Sequence, residues 1–281
     1  MYRALSPGAI GVRVDSLEAA IEAALEGSFQ GVEINVAEAA ARIRDHGFES
    51  VSSLFTSNNV LPAGFGLPFY WRGNEAEWKD GLASLPAMAQ AAVSLGCVRC
   101  TTYILPGSDE RSHDDNMQYH AERLTPVAEI LQNEGCMFGI EYIGTKSLRE
   151  RFVHPFHFTA KGMLQLTAAI GHGTGLLVDC WHWYTARETV DDLLTLTRDQ
   201  VVYVHVNDAP AGVSRDELQD GERELPGATG VIPIASFMNA LRTIGYDGPV
   251  VPEPFSAELK QLSTSKAKLI RTGQAMQTIL P

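Results

Sequence analysis

Cysteine is scarce: there are four in 281 residues, too few for a disulfide scaffold in a chain this long. Two of them, Cys97 and Cys100, form a CxxC at the start of a predicted strand instead of a helix N-terminus, so buried free thiols are expected over a redox or zinc role. Long apolar runs are missing too. None approaches the ~18 residues of a membrane span, so no membrane partner is expected. The first residues lack a basic-then-apolar leader pattern, which makes a cytoplasmic location the expectation. Positive charge is short: 22 Lys and Arg face 34 Asp and Glu, for a net charge of -12. A duplex-binding surface needs Lys and Arg to replace counterions, so no nucleic-acid partner is expected. A glycine-rich turn exists at Gly171, Gly173 and Gly175, but it enters a strand instead of leaving one. That excludes a phosphate loop.

What is present is a chain long enough, and apolar enough at 45% hydrophobic residues, for one large α/β core. Apolar runs predict strands at residues 9–14, 31–34, 51–55, 98–104, 136–141, 176–179, 201–206 and 249–253. Between and after them, apolar residues at helical spacing predict helices near 17–25, 36–45, 75–95, up to 134, 159–170, 189–197, 234–244 and 257–278. Parallel strands joined by helices must have both faces covered, and eight such units close into a barrel. The expected fold is an α/β (β/α)8 TIM barrel, a single domain over residues 1–281. Six or seven units in an open, doubly wound sheet are the competing count.

The chemistry is concentrated where four of these runs end. Leu176-Leu177-Val178 closes on Asp179, Phe138-Gly139-Ile140 on Glu141, Val201-Val202-Tyr203-Val204 on His205, and Pro249-Val250-Val251-Pro252 on Glu253. In a barrel these ends share one face, where active sites form. Carboxylates and an imidazole in apolar surroundings need a partner, and one divalent cation serves all four. His182, three residues after Asp179, falls one turn further into the following loop and can face the same pocket. Glu33, near the end of the second strand, either faces that pocket or makes a salt bridge inside the barrel. The long loop after the third strand carries Phe69, Tyr70, Trp71 and Arg72, which suit either a lid over a sugar ring or packing. The loop after the fifth strand holds Lys146, Arg149, Arg151, His154 and His157; the loop after the seventh holds Arg215 and Arg223.

These motifs resemble the xylose-isomerase-like TIM-barrel family of sugar isomerases and epimerases, within the AP endonuclease 2 superfamily. The resemblance rests on Gly139 to Tyr142, Leu177 to Trp183, Val204 to Asp208, Leu225 to Ile232 and Ile244 to Phe255, in order along the chain. It implies one divalent ion bound by Glu141, Asp179, His205 and Glu253, with Mn²⁺ first and Mg²⁺, Co²⁺, Fe²⁺ or Zn²⁺ as alternatives. It also implies that His182 contacts substrate oxygens and that Glu141 and Glu253 move a proton beside a carbonyl. Ketose 3-epimerases of the family usually carry a glutamate after the strand-five ligand and an arginine soon after the strand-seven histidine. Ser147 and Ala211 stand near those places, which leaves Lys146, Arg149 and Arg215 as candidate replacements and Trp71 as a candidate sugar contact. Free ketoses are therefore no more expected than inososes or keto-glycosides. The function implied is isomerisation or epimerisation of a small keto sugar or cyclitol through an enediolate. The alternative is a lyase or dehydratase on the same scaffold, acting on an inosose, a dehydroshikimate-type compound or a 3-keto-glycoside. A DNA-repair endonuclease would need further histidines at the ends of strands two to four, and none is seen. A non-catalytic sugar-binding protein is disfavoured by the intact ligand set. Exposed lid aromatics allow a homo-oligomer without requiring one.

Overall fold

The computed structural model describes residues 1–281. Eight parallel strands close into a barrel: β1 Tyr2–Leu5, β2 Gly31–Glu33, β3 Leu61–Gly66, β4 Arg99–Ile104, β5 Met137–Tyr142, β6 Thr174–Asp179, β7 Val201–Val206 and β8 Pro249–Pro252. Each pairs with its neighbours in sequence, and β8 pairs with β1. Helices cover the outside: α1 Leu17–Glu26, α2 Val36–His46, α3 Glu49–Asn58, α4 Glu75–Ser94, α5 His113–Asn133, the single turn α6 Lys146–Arg149, α7 Ala160–Ile170, α8 Cys180–Thr185, α9 Val190–Leu194, α10 Ile234–Thr243, α11 Ala257–Gln261 and α12 Ser265–Ile279. No helix is long and apolar enough to cross a membrane.

Two apolar layers follow from the alternation of side chains along each strand. Outward-facing strand residues join the helices in one cluster of 63 buried residues. Inward-facing Ala4, Ala63, Leu177, Tyr203 and Val251 form a second, small cluster that plugs the barrel. The plug is tight. A Cβ on Gly64 would lie 2.7 Å from the Tyr203 ring, so β3 has a glycine there. Above the plug, all parallel strands deliver their C-terminal ends to one rim.

The second half of the barrel follows the expected pattern and the first half departs from it. The predicted strand at 9–14 is a 3-10 turn and loop: Gly11 takes a left-handed φ of 68°, while Ile10 and Val12 are buried without pairing. The true first strand, Tyr-Arg-Ala-Leu, is too short and polar to show an apolar run. The predicted strand at 51–55 lies inside α3, where Val51 and Phe55 are buried at the i,i+4 spacing of a helix face. The third strand is instead Leu-Pro-Ala-Gly-Phe-Gly, whose proline and glycines read as loop. The last helix is two, α11 and α12. Thr264 caps the second by accepting a hydrogen bond from the Ala267 N–H at 3.2 Å.

Candidate metal centre and active site

Parallel pairing sets the geometry of the rim. Asp179 pairs in register with His205, and His205 with Val251, two residues before Glu253. One strand further round, Glu141 points inward from β5. The ligand atoms of Glu141, Asp179, His205 and Glu253 all lie within 4.8 Å of one another. Atoms bound to one cation at about 2.1 Å lie within roughly 4 Å of each other, so small side-chain adjustments close the shell. His205 Nδ1 stands 3.4 Å from Glu141 Oε1 and 3.5 Å from Glu253 Oε2. Neither approach has hydrogen-bond geometry for Glu141 Oε1 or His205 Nδ1, and both atoms are buried without a partner. Buried polar atoms normally have one. Two orphaned acceptor-type atoms, aimed at each other inside a set of three carboxylates and one imidazole, fit a hard or borderline divalent cation.

Among the protein groups alone, the quartet is electrostatically divided. Burial raises the Glu141 carboxyl above the ordinary carboxylate range, and the His205 contacts only partly offset it. Burial acts the same way on Glu253, but the charges of His205 and Arg223 outweigh it and hold Glu253 down at about 2. Burial alone would lower His205, yet Glu253 and Glu141 hold it well above its usual value.

Arg223, which sequence reasoning left without a role, is the cation at this site. Its Nη1 donates to Asp179 Oδ2 and to Glu253 Oε2, each at 2.9 Å, and its Nη2 donates to Asp220 Oδ1 at 3.1 Å. It is buried between the Trp181 and Phe255 rings, at 5.2 and 4.9 Å. Phe255 takes a left-handed φ of 40° to sit there, a strained conformation for an aromatic residue. The loop carrying Arg223 is drawn in by Asp208. That carboxylate accepts the N–H groups of Ala209, Thr229, Gly230 and Ile232 at 2.8 to 3.0 Å. One residue earlier, Asn207 Nδ2 donates to Asp179 Oδ1 at 3.0 Å. The stretch His205 to Asp208 therefore supplies a candidate ligand, an amide that orients Asp179 and a loop clamp in four residues.

His182 sits on α8, a helical turn and not the open loop expected. Asp179 begins that helix by accepting the Trp181 N–H at 2.8 Å. The Gly144 N–H donates to His182 Nδ1 at 3.2 Å, and Arg223 Nη2 lies 3.4 Å from Nε2. Nε2 faces Glu141 Oε1 at 3.9 Å. Position 144 must be glycine, because a Cβ there would lie 2.2 Å from the His182 carbonyl oxygen. Trp181 Nε1 donates to Thr145 Oγ1 at 2.9 Å, and Thr145 in turn donates to Asp220 at 3.0 Å.

The structure brings Glu141, Asp179, His205, Glu253 and His182 together, while Trp71, Lys146 and Arg215 are engaged with partners outside that set. Trp71 is 2% exposed; its indole N–H donates to Thr102 at 3.0 Å and its ring packs on Tyr119 and His120. Lys146 Nζ pairs with Asp216 at 3.2 Å and Glu150 at 3.6 Å. The Arg215 guanidinium stacks on Tyr184 at 3.9 Å. Each is held by other partners, for reasons of packing or surface pairing. Glu33 lies inside the barrel, where its carboxylate accepts from the Tyr203 hydroxyl at 3.1 Å. Cys97 and Cys100 are free and buried. Arg223, Asp220 and Gly144 are the residues missed. The only signal for Arg223 was its place just before the Leu225-Pro226-Gly227 turn.

A closed barrel with an acid-and-histidine quartet at its C-terminal rim defines a TIM barrel with a strand-end candidate metal centre. The chain belongs to the xylose isomerase-like TIM barrel family, whose model matches residues 14–278. It is 24% identical over 230 residues to an inosose isomerase from Halalkalibacterium halodurans, covering 80% of this chain and 77% of that protein. A xylose isomerase domain protein from Alicyclobacillus acidocaldarius superposes over 100% of this chain and 98% of its own, with a TM-score of 0.85 and 29% identity. The IolI protein, solved with a zinc atom, matches at a TM-score of 0.78 and 17% identity over 99% of this chain and 98% of that one, a likeness of fold.

Proposed function

We propose that this chain is a divalent-metal-dependent isomerase or epimerase of a keto sugar or cyclitol, working through an enediolate, with Mn²⁺ as its first-choice ion. The observation that carries the reading is the placement of Glu141 and Glu253, from β5 and β8, at 3.4 and 3.5 Å on either side of His205 Nδ1. Glu141, Asp179, His205 and Glu253 would hold the ion, which supplies Lewis-acid charge for adjacent carbonyl and hydroxyl oxygens. The rest is the work of side chains. The two glutamates are the bases nearest that point, and one on each side allows a carbon to lose its proton from one face and regain it on the other. His182 presents its Nε2 edge to a substrate oxygen. Arg223 neutralises part of the carboxylate charge and keeps Asp179 and Glu253 in place. It also answers the absence of an arginine near Ala211, since the same loop delivers one further along. The inosose isomerase relative supports a cyclitol or keto-sugar substrate.

The test is a screen of the Mn²⁺-loaded protein in D₂O against keto sugars, inososes and 3-keto-glycosides. An isomer carrying deuterium beside the carbonyl supports the proposal. A product lighter by one water makes the chain a dehydratase that uses the same proton abstraction. Turnover without deuterium uptake, and with deuterium from a labelled substrate retained on the neighbouring carbon, means hydride transfer and overturns the enediolate route.

A further inference from the structure

Away from the quartet, the loops after β3 and β4 and the first turns of α5 enclose a cavity of about 270 Å³. Its deepest polar groups are uncommitted. Asn116 lines it and is 3% exposed, yet its side-chain amide makes no hydrogen bond within the protein. Its polar atoms stay accessible from the cavity and free for a ligand. His120 is buried on the same wall. Its Nδ1 lies 2.6 Å from the Asn116 carbonyl oxygen and must donate to it, so Nε2 presents a lone pair. Burial, with the charges of Arg72 and Arg111 nearby, lowers this imidazole to about 4 and keeps it neutral.

Two guanidiniums complete the wall. Arg72 is stacked on Trp71 at 4.0 Å and on Tyr103 at 4.5 Å, and Arg111 on Tyr119 at 3.8 Å. Stacking occupies their faces and leaves N–H edges for planar, bidentate recognition. Arg72 donates to the Tyr103 carbonyl oxygen; neither arginine is paired with a carboxylate. The Ser108 hydroxyl accepts the N–H groups of Glu110 and Arg111 at 3.2 and 3.1 Å, which fixes the loop that aims Arg111. Asp109 and Glu110 also border the cavity, but both are exposed at its rim, and Asp109 Oδ1 accepts the Val153 N–H at 3.1 Å. The interior is therefore cationic and donor-rich. Tyr103 is the register partner of Glu141, so this cavity lies one strand away from the quartet.

We infer that the cavity binds a small oxyanion, the phosphate or carboxylate group of a polar metabolite, between the N–H edges of Arg72 and Arg111. The Asn116 amide is the third donor, and His120 Nε2 accepts from a hydroxyl of the same ligand. The test is calorimetric titration of chelator-treated protein with inorganic phosphate and, separately, with D-gluconate. At least one should saturate a single site per chain, with a dissociation constant below ~10 mM, and the tighter of the two names the source of the oxyanion. Arg111→Gln should weaken it at least about tenfold, since it removes a charge-assisted donor. Asn116→Leu should weaken it as well, while His182→Ala should leave it unchanged. Arg111 is half-buried and makes no ion pair, so its variant should fold even where Asn116→Leu does not, and circular dichroism and Mn²⁺ binding check both. No saturation by either anion overturns the inference. So does equal binding by Arg111→Gln, or loss of binding in His182→Ala, which would place the anion at the quartet.

Discussion

On Asp179 three hydrogen bonds converge: Oδ1 accepts from the Trp181 N–H and from Asn207, and Oδ2 from Arg223. A carboxylate so constrained is oriented before any ligand arrives, which is how an outer layer of partners tunes a metal site. The acid itself was legible in the sequence, because an apolar run that ends in an acid has few structural uses. Its partners were not. Arg223 reaches the site because Asp208, 15 residues earlier, folds the intervening loop back by pairing with Glu224, and no periodicity records that. Arg223→Gln should leave Asp179 without its counter-charge and Glu253 with His205 alone, at a cost of about 3–5 kcal/mol. The metal-free variant should melt roughly 6–15 °C below the metal-free wild type. Mn²⁺ should raise the melting temperature of the variant more than that of the wild type; equal rises in thermal scans would mean Arg223 is not the counter-charge. Glu188 gives a second prediction at this scale. Burial pushes its carboxyl up to about 7, and its Oε2 is buried without a partner. A carboxyl raised on folding binds more protons native than unfolded, so stability falls as pH rises. The cost is absent below the unfolded value near 4.5 and grows to about 3 kcal/mol above pH 7. Glu188→Gln should match wild type in urea melts near pH 4.5 and exceed it near pH 8. A constant difference at both would contradict the assignment.

Between residues and the whole barrel, the element that decides the site is α8. It starts on Asp179 without a connecting loop, so the strand-end acid is also the helix cap. The turn carries His182 to the rim, and the Gly144 N–H holds its Nδ1 in place. Gly144→Ala should displace α8 and the His182 ring, lowering turnover about 10²-fold by misplacement of a contact group while leaving Mn²⁺ content near one per chain. Lost metal together with lost turnover would mean the whole rim has moved. The same scale shows why the first half of the chain misled. β1 is only four residues long and carries Arg3, while β3 carries Pro62, Gly64 and Gly66; at Gly64 the interior is already filled by the Tyr203 ring and the Arg99 backbone. The Arg99 Nε donates across the barrel to the Val202 carbonyl oxygen at 3.1 Å. With small residues demanded on the inside, no apolar run can form. Strands five to eight face outward onto large helices and inward onto the quartet, so their pattern survives in sequence.

At the scale of the whole molecule, parallel closure explains why four residues from Glu141 to Glu253 meet at one point, although each is separated from the next by a helical crossover. The barrel fixes the meeting place, where three carboxylates and one imidazole gather beside the single guanidinium of Arg223 in an arrangement that could hold a divalent cation. The most direct measurement is titration of Mn²⁺ into chelator-stripped protein, with the bound ion counted by elemental analysis. One ion per chain is expected for the wild type. Glu141→Gln, Asp179→Asn, His205→Asn and Glu253→Gln should each weaken binding by at least about tenfold, since even outer-shell losses cost ~10–100-fold. His182→Ala should bind as the wild type does. Wild-type affinity in any of the four ligand variants, or loss of the ion in His182→Ala, would contradict the assignment of the centre.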